Sequence, residues 1–94
     1  MKSLAEVVQD HWEKLTLYVP VVDRVHGGAH PEFHEVKRLF ESLSDKIQAG
    51  QSDLDQEFTE LREVTDNYTV PSDVCESYEA VYAMLADADK AYTR

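Results

Sequence analysis

Four times along this chain, apolar residues recur at three- and four-residue steps. Val8, Trp12, Leu15, Val19 and Val22 form the first stripe, and Phe33, Val36, Phe40, Leu43 and Ile47 the second. Leu54, Phe58, Leu61, Val64 and Tyr68 form the third; Val74, Tyr78, Val81, Leu85, Ala88 and Tyr92 form the fourth, widened by Tyr82. That spacing places each set on one face of a helix. Sustained alternation and Asn-Gly type hairpin turns are missing, so no strand is expected. With only three glycines and three prolines in 94 residues, the connections must be short. Four striped helices joined by short loops predict an all-α, up-down-up-down four-helix bundle in a single domain.

Local signals set the boundaries. Ser3 and Glu6 fit a capping box, and Gly27-Gly28 marks the stop of a first helix over 3–26. Pro20 falls inside it, where the missing amide should kink or split the helix. Pro31 suits the first turn of a second helix over 31–48, with Glu32 and Glu35 at the positive end of its dipole and Gly50 beyond its end. Ser52 or Asp53 can cap a third helix over 53–68. A fourth runs over 72–91 from Pro71 or Ser72.

A net charge of −10 argues against nucleic acid, whose phosphates need basic side chains, and against docking on anionic lipid. No apolar run approaches membrane-spanning length. The start of the chain runs from Met1 into Glu6 without an apolar signal core. The one cysteine, Cys75, has no internal partner. A cytoplasmic protein in a reducing compartment is expected, with partners that are neutral or basic protein surfaces.

Two motifs add a resemblance. Val22-Asp23-Arg24-Val25-His26-Gly27, then His30-Pro31-Glu32-Phe33, Val36, Leu39-Phe40 and Leu43, resembles the first two helices of the hemerythrin-like domain of RIC proteins. Leu61-Arg62, Thr65, Tyr68, Pro71, Cys75, Tyr78, Tyr82 and Leu85 follow the third-to-fourth-helix pattern of the same family in order and spacing. Together these cover residues 19–48 and 58–90. RIC proteins are di-iron proteins linked to the repair of iron–sulfur clusters after nitrosative or oxidative damage.

The family's iron ligands do not carry over. Its second-helix His and Glu fall on Gly50 and Leu54, and its third-helix His falls near Gln51. Its fourth-helix pair lies at or beyond Thr93. Its first-helix His falls near Ala5, and only a shift of several residues brings in His11. In an up-down bundle these places share one end. The resemblance thus implies a bundle shortened at its metal end that keeps the loops around His26, Gly27, His30, Pro31 and Glu32, and around Thr65, Tyr68, Pro71 and Cys75. The function this implies is a non-enzymatic module acting through protein contacts in iron–sulfur cluster repair or stress response, with no cofactor of its own. The trimmed end should expose the ends of four stripes and favour a homodimer.

Two alternatives are open. One is a residual iron protein built from His11 and the third-helix carboxylates Glu57, Glu60 and Glu63, or across a dimer. The other is an acidic decoy or antidote for a basic partner, although acids occur on all four helices. His11, His26 and Glu57 are the weak metal candidates, and each also has an ordinary role. His11 suits the core boundary and His26 the negative end of the first helix. The glutamates suit a wet face. His30 sits in a capping position and His34 faces solvent. Cys75 aligns with a core position, where a buried, inert thiol is expected. A dyad of Cys75 with His26 or His30 at the same bundle end is the reactive alternative.

Overall fold

The computed structural model describes residues 3–93, which form four helices: α1 Leu4–His26, α2 Glu32–Gln48, α3 Asp55–Val64 and α4 Glu76–Thr93. No strand occurs among the described residues, and no helix there is long and apolar enough to cross a membrane. α1 has 23 residues and the long axis of the molecule is 34 Å. At a rise of about 1.5 Å per residue this one helix spans the whole bundle.

The capping box of α1 forms as expected. Ser3 Oγ accepts from the Glu6 amide at 3.3 Å, and the Ser3 amide donates to Glu6 Oε1 at 3.1 Å. The helix does not split at Pro20 and continues to His26, the end expected from Gly27-Gly28. Pro20 and Thr16 are exposed, so water can serve the carbonyl that the missing amide leaves free. α2 ends in a Schellman motif. Gly50, at φ 77°, lets the Gly50 amide reach the Ile47 carbonyl and the Gln51 amide reach the Lys46 carbonyl.

α3 is shorter than the stripe predicts. Neither Ser52 nor Asp53 caps it; its first residue follows Leu54, which is buried. The Leu54 amide donates instead to the Tyr92 hydroxyl at 3.0 Å, and that hydroxyl donates to Asp55 Oδ1 at 2.8 Å. α4 thereby supplies the cap of α3. The other end stops at Val64 because Asp66, Asn67 and Tyr68 are all left-handed, at φ 52°, 57° and 62°. Such residues cost about 1–2 kcal/mol each, least for Asp and Asn. Local bonds hold the turn: Thr65 Oγ1 donates to the Leu61 carbonyl at 2.6 Å and accepts the Tyr68 amide at 2.8 Å. α4 begins four residues later than its stripe suggests, after a loop through Pro71 and Asp73.

The core runs the length of the bundle. Leu15, Val19, Val22, Phe33, Val36, Leu43, Phe58, Leu61, Tyr78, Val81 and Leu85 are each at most 1% exposed. Burying one large apolar side chain of this kind stabilises by about 1.5–3 kcal/mol. Val7, not Val8, is the buried residue at the start of the α1 stripe; Val8 is half-buried. α3 and α4 are bridged by long side chains: Arg62 Nε and the Tyr68 hydroxyl both donate to Asp89 Oδ2, at 3.0 and 2.7 Å.

Candidate functional site

Two ends of the bundle bring together chemistry of opposite character. At one end meet the start of α1, the end of α2, the start of α3 and the end of α4. Leu4, Ala5, Val8, Ile47, Leu54, Ala91 and Tyr92 line a groove of about 450 Å³ there, with Gly50, Gln51 and Ser52 on its rim. This is the end at which the resemblance to RIC proteins would place iron ligands. A di-iron centre needs several imidazole and carboxylate donors facing one cavity. The residues on this groove supply none, so they do not fit that group.

The remaining metal candidates do not converge either. His11 Nε2 lies 3.3 Å from Asp87 Oδ2 on the α1–α4 surface. His26 is 15 residues further along the same helix, about 22 Å away at the standard rise. Glu57 lies between α2 and α3, where the sequence reading put a wet face; in fact it is buried. Ser42 Oγ donates to it at 2.9 Å, and Lys46 Nζ is also 2.9 Å from its Oε2. Burial pushes the Glu57 carboxyl up, but the bonds from Lys46 and Ser42 outweigh it and hold the group below the usual carboxylate range. Among the described residues no group of three His, Cys, Asp or Glu is placed to hold a metal ion.

The opposite end gathers the loops of both motifs. His26 closes α1, and its Nε2 lies 3.1 Å from Cys75 Sγ, directly before α4. Cys75 is exposed, not buried in the core as expected. The resemblance implied a core position inside a helix over 72–91; α4 instead starts one residue after Cys75, and Val74 and Tyr78 are the residues that pack inward here. The acidic first turn of α4, Glu76 and Glu79, is the signal that marks this start.

His30 does not cap α2 with its side chain; Pro31 holds the cap position without a side-chain bond. The His30 ring instead lies between two carboxylates, with Nδ1 at 3.1 Å from Glu32 and Nε2 at 3.0 Å from Asp73. It ties the start of α2 to the α3–α4 loop. His34 is solvent-facing as expected, and its Nδ1 is 2.6 Å from Asp23 Oδ1. That contact between α2 and α1 does not meet hydrogen-bond geometry, and the buried Asp23 Oδ1 has no hydrogen-bond partner. Asp73 as a partner left no mark in the sequence, being 43 residues from His30.

Below these loops lies an aromatic floor. The rings of His26 and His30 meet Tyr78 edge-on, at centroid distances of 5.6 and 5.7 Å. Tyr78 packs on Phe33 at 4.9 Å, and its hydroxyl bonds that of Tyr82 at 2.9 Å in the buried interior. Burial raises both phenols above the ordinary tyrosine range.

No family model matches the chain, and neither a curated protein nor a solved structure matches it.

Proposed function

We propose that this chain is a non-enzymatic helical module working through protein contacts, and that its open end seats a second copy. It derives, on this reading, from an RIC-type hemerythrin-like bundle trimmed of its iron end, and serves iron–sulfur cluster repair or stress response in a reducing compartment. The observation that carries the reading is the uncovered apolar groove where four helix termini meet. Two such ends joined would extend four stripes into one longer core and remove Leu4, Val8 and Ile47, which are only half-buried, from water. The retained motif loops at the other end support the family reading, and the apolar lining where ligands would stand supports the loss of iron.

Each chain carries −10, so the pair is opposed by its own charge, and salt should tighten it. Light scattering on concentrated protein in physiological salt should give twice the chain mass. Val8→Glu should return a monomer with the same helical content, because Val8 lies outside the buried core. A wild-type monomer at high concentration, or a Val8→Glu dimer, overturns the assignment of this face.

A further inference from the structure

We propose that Cys75 and His26 form a thiol-exchange site for small cationic disulfides, with Cys75 Sγ as the nucleophile and His26 Nε2 as its base. The two residues stand 49 positions apart in sequence and are brought within 3.1 Å by the packing of α1 against α4. The thiol is exposed, so a small molecule can reach it. The imidazole is held: its ring stands at 89° to that of Tyr78, which is fully buried and bonded in turn to Tyr82. A nucleophile, a base within hydrogen-bond reach and a group that orients the base are the elements of an activated thiol.

The exchange balances without a further reactant. The Cys75 S–H proton passes to His26 Nε2 as the sulfur attacks one sulfur of the incoming disulfide. That S–S bond breaks as the new Sγ–S bond forms, and the departing thiolate takes the proton back from His26. Cys75 is oxidised to a mixed disulfide, and one half of the reagent leaves reduced as a thiol. Charge selects the reagent. Asp73, Glu76 and Glu79 flank Cys75 in sequence, and Asp73 is the one engaged by His30. In a chain of net −10 this surround attracts a cationic disulfide and repels an anionic one. The site rests on the closed end alone and is independent of association at the open end.

The test follows mixed-disulfide formation at Cys75 by mass near neutral pH, with cystamine and with oxidised glutathione, each rate divided by that of the urea-unfolded chain. The folded protein should exceed the unfolded reference with cystamine by at least about a hundredfold, the lower reach of general acid–base assistance. Oxidised glutathione should gain clearly less. His26→Gln should bring the cystamine rate down to the unfolded level, and His30→Gln, which removes the neighbouring imidazole, should leave it high. A folded thiol no faster than the unfolded one overturns the proposal. So does undiminished exchange in His26→Gln, or equal acceleration with the two reagents.

Discussion

Gly27 shows how a single missing carbon permits a contact between helices. A Cβ at this position would press on the Asp23 carbonyl and lie 2.6 Å from His34 Cε1. The glycine is therefore needed for close approach, so that His34 can lie across the end of α1 and reach Asp23. Its neighbour Gly28 has open space around it. Gly27→Ala should cost about 1–3 kcal/mol, the usual range for overpacking a tight contact, while Gly28→Ala should be near neutral. Urea denaturation of the two variants checks this; equal midpoints would refute the packing argument. The Gly27-Gly28 pair is legible in sequence as a helix stop. Which of the two carries the packing is not, because the answer lies in His34, on another helix.

At the scale of elements, α2 and α3 are joined by a buried charge. Glu57 accepts from Ser42 and Lys46, and its carboxyl is held below the ordinary value of 4.5. A carboxyl depressed in the folded state stabilises above its unfolded value and loses that contribution as pH falls through the folded one. Wild-type stability should therefore fall once pH drops below 4.5, and Glu57→Gln should flatten that fall while lowering stability at neutral pH. Removing one partner of such a bond costs about 1–3 kcal/mol. Melting temperatures at neutral pH and in acid decide it; identical acid profiles for wild type and variant would remove the role. Helix existence and the buried faces were readable from the stripes of all four elements. The ends of α3 were not. Its start is capped by Tyr92, far away in sequence, and its stop is a left-handed turn that Asp66 and Asn67 permit but do not demand. Cys75 was misplaced because its core position was carried over from the resemblance; it lies just before α4 and is exposed, while Val74 beside it packs against the core.

For the whole molecule, the up-down order makes the two ends different. One end is apolar and open; the other holds three histidines, each set against a partner from elsewhere in the fold. Periodicity and loop order foretell which termini share an end, but the His26–Cys75 and His30–Asp73 pairings needed the packed helices. The aromatic interior gives a test of the bundle as a unit. Burial raises Tyr68, Tyr78 and Tyr82 above the ordinary value of 10.0, and the Asp89 carboxylate adds to the rise at Tyr68. Groups raised in this way give their full stabilisation below pH 10.0 and lose it as pH climbs through their folded values. Phenolate absorbance of the native protein should thus lag that of the unfolded chain, then rise together with loss of helical signal. Superimposed titrations would show that these hydroxyls are not shielded.

The groove has a practical consequence for anyone handling this protein. Leu4 and Ala5 of α1 and Ala91 and Tyr92 of α4 line it, so the first turn of α1 and the last turn of α4 lie beside it. An affinity tag or fluorescent fusion at either terminus would hang over the very surface whose self-association is in question. A label on the α1–α2 turn, at exposed Ala29, would report from the far pole and leave that surface bare.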